Sequence, residues 1–185
     1  MKHSIFGLLI AFSFLIAVSA AGAQSFGKAF EGMGDNDQPI QIEADRLEIT
    51  DNQNIALLTG NVNVTQGNTL LKASRIKVFY LSEGQRSRSS SGIKQIEAAG
   101  KVAIRSQGNR ATADTAIVDM VKQFITLSGN VVVSQGNNIL KGCRMTVNLK
   151  NNVANVKPCQ TSNSQGQKSN GRVKILLTPQ NRKNN

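Results

Sequence analysis

The chain has 185 residues, among them 22 Lys and Arg, 11 Asp and Glu, two Cys and a single His. That histidine, His3, lies in a predicted leader, so the rest of the chain lacks the imidazole that Ser-His-Asp hydrolases and His-containing zinc sites require. Two cysteines alone cannot form a four-thiolate metal site or hold an iron–sulfur cluster. Only carboxylates, lysines, Tyr80 and hydroxyl groups remain for catalysis, and we expect no enzyme, no metal and no cofactor.

The amino terminus has the three parts of a secretory signal peptide. Met1 to His3 is a short basic start, residues 5–17 are almost entirely apolar, and Ala21-Gly22-Ala23 is a small-residue cleavage site. The apolar run is shorter than the ~20 residues that a transmembrane helix needs. We therefore predict that residues 1–23 are cleaved after export to a compartment that permits disulfides.

A segment of about nine residues occurs three times in the chain. Gly60 to Asn68 recurs as Gly129 to Asn137, and a copy one residue longer runs from Gly100 to Asn109; each copy ends in Gln-Gly-Asn. Within the copies, apolar residues alternate with mostly polar ones, as half-buried strands require. Gly-Asn pairs between these runs suit tight hairpins or bulges. The repeats predict an all-β protein built from a duplicated unit.

The alternation changes phase at regular points. Leu71 and Ala73 occupy odd positions, whereas Ile76 and Val78 occupy even positions, and a similar change follows Ala44, Ala113 and Gly142. A strand with a period of two changes face only at a bulge, a bend or a switch of sheet. A small residue at each change favours a corner. Repeated corners predict stacked rungs with two open ends, in a jelly-roll or, alternatively, a β-solenoid.

The repeats define one domain over residues 37–179. Two polar stretches, 85–92 and 160–171, lack the alternating pattern and are predicted to be mobile loops. Residues 24–36 are expected to be a flexible segment, and residues 180–185 a basic, disordered tail.

Both ends of the domain carry a strand that has no predicted partner on its outer side. These terminal strands are residues 40–44 and 172–178, and neither has an internal proline or a run of charges that would block pairing. Exposed sheet edges recruit further strands. The sequence therefore predicts an end-to-end interaction between protein domains.

The net charge of +11 indicates a polyanionic partner. Nucleic acid is not expected, because aromatic residues make up only 4% of the chain and Trp is absent, so that stacking platforms are scarce. Phosphorylated lipids and acidic glycans are the better candidates outside the cytoplasm.

Two further groups of residues invite a chemical interpretation. Cys143 and Cys159 are sixteen residues apart, and a disulfide between them would contribute roughly 3 kcal/mol in the chain-entropy model; the alternative is two separate thiols. Four carboxylates lie close together in the sequence: Glu43, Asp45, Glu48 and Asp51. The phase change places them on different faces, which favours surface pairing over an acid–base pair.

Several of these segments resemble the OstA-like family of periplasmic lipopolysaccharide-transport bridge proteins. They are Asp37 to Asp45, Thr59 to Gly67, and Phe124 to Asn130 followed by Lys141-Gly142. The resemblance covers roughly residues 36–157 and resumes at 172–179. The chain departs from the family pattern in the 86–91 loop and at Cys143, where a carboxylate is expected.

This resemblance implies a twisted antiparallel β-jelly-roll with an internal apolar groove and open ends. It also implies a periplasmic protein that joins other copies head to tail, between an inner-membrane LptC-like component and an outer-membrane LptD-like component. The acyl chains of the lipid A part of lipopolysaccharide would slide along the shared groove, and no catalytic role is implied.

The candidate lipid contacts are apolar residues on the inward face of the predicted strands. Ile40 and Ile42 match the family's first-strand positions and are expected at the groove mouth. The other candidates line either an open groove or a filled core, which the sequence leaves undecided: Val62, Val64, Ile76, Val78, Val102, Ile104, Val131, Val133, Met145 and Val147.

Three other functions remain alternatives at this point. One is a relative with the same fold, such as a clipped plug domain or a membrane-anchored partner, of which the cleavable signal argues against the latter. Another is an exported β-solenoid scaffold or adhesin that binds anionic glycans, which should have more rungs. The least supported is a carbohydrate lyase that uses Lys and Tyr80.

Overall fold

Antiparallel strands make up nearly all the regular structure of the protein. The computed structural model describes residues 26, 30, 38–89, 91–162 and 168–178, so the predicted signal peptide and carboxyl-terminal tail lie outside the described residues. The strands are β1 Ile40–Glu43, β2 Arg46–Thr50, β3 Ile55–Gln66, β4 Thr69–Tyr80, β5 Ile93–Ser106, β6 Asn109–Asp119, β7 Phe124–Gln135, β8 Asn138–Asn148, β9 Val153–Lys157, β10 Gln160–Ser162, β11 Lys168–Asn170 and β12 Lys174–Leu176.

Ten of these strands form a single sheet. Its neighbours run β1-β3-β4-β5-β6-β7-β8-β12, while β2 also pairs with β3 and β9 also pairs with β8. Each of these pairs is antiparallel. A β-solenoid stacks parallel strands, so this pairing excludes the solenoid geometry and confirms the predicted all-β jelly-roll class.

Each long strand bends near its middle. The strand register shifts at the same level in every long pair, as between Thr59 and Val62 of β3 and between Ser128 and Val131 of β7. These corners divide the sheet into two parts. Half-sheet 1 contains β1, β12 and residues 62–66, 69–73, 102–106, 109–113, 131–135 and 138–142. Half-sheet 2 contains β2, β9 and residues 55–59, 75–80, 93–99, 115–119, 124–128 and 144–148.

Burial changes phase across each corner, as the sequence predicts. In β4, Leu71 and Ala73 are buried before the corner, and Ile76 and Val78 are buried after it. Because of the bulge, the buried side chains on both sides of the corner point toward the same interior. The two half-sheets therefore enclose a common core.

A glycine in the left-handed conformation forms the bulge on three of the odd-numbered strands. The φ angles are 79° at Gly60, 81° at Gly100 and 75° at Gly129. A Cβ atom added at Gly60, Gly100 or Gly129 would overlap a side chain of the adjacent chain segment, namely Asp45, Ser74 or Asp114 respectively. Each of these three residues directly follows the small residue at the corner. Both the backbone angle and the close approach therefore require glycine.

Polar side chains connect the strands at these three corners. The Asn61 Nδ2 group donates to Asp45 Oδ2 at 3.0 Å, and Asn130 Nδ2 donates to Asp114 Oδ2 at 3.0 Å. At the middle corner Ser74 Oγ donates to the Gly100 carbonyl at 3.1 Å. The repeated Gly-Asn pairs are thus part of a repeated corner interaction.

The fourth corner uses a disulfide instead. Cys143 occupies the position that Asp45, Ser74 and Asp114 occupy in the other copies, and it is bonded to Cys159 with a Cα–Cα distance of 4.8 Å. Gly142 leaves the space for this connection, because a Cβ there would lie 2.6 Å from Val156 Cγ1. A covalent bond therefore replaces the carboxylate contact that the family resemblance leads one to expect.

Both predicted loops contain short regular structure. Residues Glu83–Arg88 form a 3₁₀ helix, and the Leu81 N–H donates to the Gly92 carbonyl at 2.8 Å, which closes the loop at its base. Strands β10 and β11 pair with each other in a separate two-stranded sheet. Residue 90 and residues 163–167 lie outside the described residues, and the mobility of both loops remains a prediction.

Candidate functional site

The interior between the half-sheets gathers the predicted apolar residues. Ten of the twelve candidates are buried there, and they are Val62, Val64, Ile76, Val78, Val102, Ile104, Val131, Val133, Met145 and Val147. The other two, Ile40 and Ile42, are partly buried on the edge strand β1 and pack against the same cluster. The structure thus brings all twelve to one apolar interior.

The interior side chains form continuous rows across the sheet. In half-sheet 1, one row of directly paired residues consists of Ile42, Val64, Leu71, Ile104, Ala111, Val133, Leu140 and Ile175. In half-sheet 2, a comparable row consists of Leu47, Leu58, Ile76, Ala98, Ala116, Leu127, Met145 and Val156. Each row advances by about 4.8 Å per strand and runs from one end of the sheet to the other.

The interior is packed in this structure rather than open. Side chains from both half-sheets meet around a cavity of about 20 Å³, whose lining includes Val64 and Leu71 from one half and Ile96, Val118 and Met120 from the other. Nearly all of the candidate contacts are therefore core residues here. An acyl chain needs these side chains to move apart before it can enter.

Phe30 is a core residue that sequence reasoning missed. Its side chain is 0% exposed and belongs to the same cluster, and Phe26 packs against that cluster from outside. Both precede the repeated strands, in a segment predicted to be flexible, so no alternation marks them. The spacing of four residues, which places two side chains on one helical face, is the only signal that the sequence offers.

The two ends of the sheet expose apolar side chains on the inward face. Leu47 and Ile49 of β2 are 57% and 60% exposed, and at the opposite end Ile175 and Leu177 are 57% and 64% exposed. Leu47 and Ile175 are the ends of the two interior rows, and among the described strands β2 and β12 have a neighbour on one side only. Each end of the sheet therefore presents an unpaired apolar edge.

The edges are complementary in strand direction and in charge. β1 and β2 run antiparallel to β3, and β9 and β12 run antiparallel to β8, so the two edges run in opposite directions. The β1–β2 edge carries two acidic residues, Glu43 and Glu48, and one basic residue, Arg46. The β9–β12 edge carries Lys157 and Lys174, and residues 153–178 include no acidic residue.

In the described part of the chain, the residues that the sequence offered for catalysis do not form a catalytic arrangement. Tyr80 lies in an open depression of about 600 Å³ with Asp51 and Ser89, and its described lining includes no lysine. Among the described residues there is no group of three or more metal-ligating side chains. The carboxylates Glu43 and Asp45 are exposed, and they accept hydrogen bonds from the side chains of Gln41 and Asn61 respectively.

The described residues also contain no helix long and apolar enough to cross a membrane. Fold and site together define an open-ended β-jelly-roll, with a continuous apolar interior and unpaired strands at both ends.

Comparison with known proteins identifies the family. The chain belongs to the LptA/(LptD N-terminal domain) LPS transport protein family, whose model matches residues 41–153. This confirms the resemblance seen in the sequence, and it does not favour the adhesin or the lyase.

Individual relatives agree with this assignment. The chain is 40% identical to an uncharacterized protein of Rhizobium meliloti (strain 1021) over 173 residues, which cover 92% of this chain and 88% of that one. It is 32% identical to the lipopolysaccharide export system protein LptA of Escherichia coli (strain K12) over 128 residues, or 66% of each chain. The crystal structure of LptH, the LptA homologous periplasmic component of the lipopolysaccharide transport device of Pseudomonas aeruginosa, has the same fold. It matches with a TM-score of 0.64 and 20% identity, over 79% of this chain and 99% of that one.

Proposed function

We propose that the protein is a periplasmic lipopolysaccharide carrier, which holds the lipid's acyl chains in its interior and stacks end to end with other jelly-roll domains. The observation that carries this proposal is the pair of apolar rows that run without interruption between two unpaired edges. Family membership and the predicted signal peptide support the substrate and the compartment.

The energetics favour acyl-chain binding in such an interior. Each buried methylene contributes ~0.8 kcal/mol, so a chain of ten or more carbons compensates for the displacement of several protein side chains. Successive strands present similar Val, Ile, Leu and Ala residues, so the binding energy changes little from one strand to the next. Nearly equal binding at successive positions lets a chain slide instead of being trapped.

The edge strands supply the means of stacking. A second copy that adds its β1–β2 edge to β9–β12 continues the antiparallel pairing, because the two edges run in opposite directions. In register, Ile42 of the second copy lies beside Ile175, and Glu43 of the second copy lies beside Lys174. Lys174 already faces Lys141 of its own chain, so the carboxylate relieves a like-charge pair.

The same edges define the expected partners at the membranes. The family includes the amino-terminal domain of LptD, so an outer-membrane partner with this fold would offer a compatible edge strand. An LptC-like component would take the equivalent place at the inner membrane. The protein itself needs no catalytic group, because transport energy is supplied elsewhere.

Site-specific photo-crosslinking tests whether lipid enters the interior. Ile42 points inward and is partly buried, whereas the neighbouring Gln41 is exposed on the outer face. A photoreactive side chain at position 42 is therefore expected to capture lipopolysaccharide, and one at position 41 is the matched control. Equal capture at the two positions, or none at either, would contradict binding in the interior.

A further inference from the structure

A row of uncharged polar side chains lies beside the apolar row in half-sheet 1. The residues pair directly across six consecutive strands, and they are Gln66, Thr69, Ser106, Asn109, Gln135 and Asn138. All are hydroxyl- or amide-bearing, and none is charged. We refer to these six residues as the polar row.

The polar row faces the interior rather than solvent. Each member stands two positions from a buried apolar residue on the same strand, and Thr69 and Ser106 are only 3% and 1% exposed. The Thr69 hydroxyl donates to the Ser106 hydroxyl at 3.0 Å. At one end of the row, Gln66 Nε2 donates to the Gln38 carbonyl at 3.2 Å.

The opposite rim of the interior does not match this polarity. Buried Leu81, Ile93 and Met120 lie at or just beyond the strand ends of half-sheet 2, and Met120 borders the same small cavity as Gln66 and Thr69. The half-sheets therefore close a polar row against an apolar rim. Hydrogen bonds offset part of the cost of burying the row, including one from the Thr178 N–H to Asn138 Oδ1 at 3.0 Å, whereas the buried Gln135 Oε1 has no hydrogen-bond partner among the described residues.

We propose that the polar row is a binding site for the uncharged polar part of an acylated sugar, namely its hydroxyl, amide and ester groups. This inference rests on the proposed function, because the tails occupy the adjacent apolar rows. A molecule whose tails lie along Val64 and Leu71 places its acyl linkages one residue row further out, which is the position of Gln66 and Thr69. Hydroxyl and amide side chains both donate and accept, so they pair with sugar hydroxyls and with acyl carbonyls.

The row's length also fits a moving ligand. It spans six strands, or ~24 Å at about 4.8 Å per strand. Polar groups that are displaced from one strand therefore find equivalent partners on the next one. The polar row and the apolar row thus match both parts of an amphiphile along one track.

The test replaces polar groups by apolar groups of the same shape. In the double variant Thr69→Val with Ser106→Ala, both partners of the Thr69–Ser106 hydrogen bond are removed together, so neither hydroxyl is left without the other. The melting temperature of the variant is measured beside binding, to check that the fold is kept. Binding is measured for two probes, purified lipid A and the apolar dye N-phenyl-1-naphthylamine. We expect lipid A to bind about tenfold more weakly and the dye to bind as it does to the wild type.

A matched control and a second variant complete the experiment. Thr65→Val with Ser134→Ala makes the same chemical changes on the outer face of β3 and β7, near the same edge of half-sheet 1, and should leave the binding of both probes unaffected. This control also removes a hydrogen bond, since the Ser134 hydroxyl donates to the Arg110 carbonyl. Gln135→Met removes the unpartnered oxygen, so it should weaken lipid A binding without lowering the melting temperature. Unchanged lipid A binding in both inward variants, or an equal loss of both probes, would overturn the proposal. Failure of wild-type protein to bind lipid A would instead overturn the proposed function.

Discussion

The corner glycines are the residues at which backbone conformation and close contact act together. Gly129 has a φ of 75°, and a Cβ atom there would overlap the Asp114 side chain. Gly136 has a φ of 55° in a hairpin turn, but no described atom beyond its two chain neighbours lies within 4 Å of the position of its Cβ. The two glycines therefore separate the cost of conformation from the cost of contact.

Replacing Gly129 by Ala is expected to destabilise the protein more than replacing Gly136. The left-handed conformation alone costs an alanine about 1 to 2 kcal/mol, and Gly129→Ala adds the overlap with Asp114. Urea denaturation of both variants measures the difference in the free energy of unfolding. Adding Asp114→Ala to Gly129→Ala should recover part of the loss. Equal destabilisation by the two glycine variants would show that the Asp114 contact is unimportant.

At the level of the structural elements, the disulfide fixes the one corner that lacks a glycine bulge. Strand β9 and strand β12 both pair with β8, and the chain between them leaves the main sheet to form the β10–β11 hairpin. The Cys143–Cys159 bond holds this excursion against β8 at the corner, and the Gly171 N–H donates to the Cys159 carbonyl at 2.9 Å. The carboxyl-terminal edge therefore depends on the bond.

Reduction of the disulfide should lower the melting temperature and loosen this edge first. A closed loop of this length contributes roughly 3 kcal/mol, because the bond restricts the unfolded chain. Thermal unfolding with and without reductant measures the effect, and hydrogen exchange at β9 and β12 locates it. The Cys143→Ala, Cys159→Ala double variant should behave like the reduced protein and should not respond to reductant. Rapid alkylation of both cysteines in folded, untreated protein would contradict the bond.

At the level of the whole molecule, the proposed end-to-end stacking depends on the two open edges. Association that adds one edge to the other leaves a free edge on each new end, so it continues with concentration instead of stopping at a closed dimer. In the proposed stacking, the exposed apolar residues Leu47, Ile49, Ile175 and Leu177 would be covered at each joint. Their burial would supply the driving force, and Glu43 with Lys174 would set the register.

A charge exchange across the joint tests this register. Lys174→Glu places a carboxylate opposite Glu43 of the next copy, and should weaken association measured by light scattering or sedimentation. Combining it with Glu43→Lys should restore association, whereas either single variant should not. The pair leaves the core untouched, since both side chains are exposed. A strict monomer at high concentration in the wild type would contradict end-to-end stacking.

A proline at the edge tests the backbone part of the same joint. Ile42→Pro removes one N–H donor from β1. The lost hydrogen bond is either one to β3 of the same chain or one to the incoming strand of a second copy. We expect weaker association between copies. The loss of folding stability should be smaller than for a proline in a central strand, because β1 is an edge strand. Association equal to that of the wild type would indicate that β1 is not the pairing strand.

Much of the fold follows from local patterns in the sequence. The alternation of Val62 with Val64 and of Val102 with Ile104 predicts strands, and the phase change after Ala73 and Gly142 predicts corners. These features are readable because a strand's two faces and the left-handed angles of glycine are set by the chain itself, residue by residue. The twelve predicted contacts lie together for the same reason, since each is on the inward face of its own strand.

The tertiary structure alone decided how the two half-sheets meet. Whether Val78 and Met145 line a groove or fill a core depends on side chains that come from strands far apart in sequence, and here they are packed. The burial of Phe30 is likewise long-range, because the cluster that it joins consists of residues from strands distant in the sequence. The meeting of the polar row with Met120 on the opposite rim also needs three dimensions. Packing between the half-sheets depends on contacts between residues that are far apart in the sequence, and the alternation within one strand does not indicate those contacts.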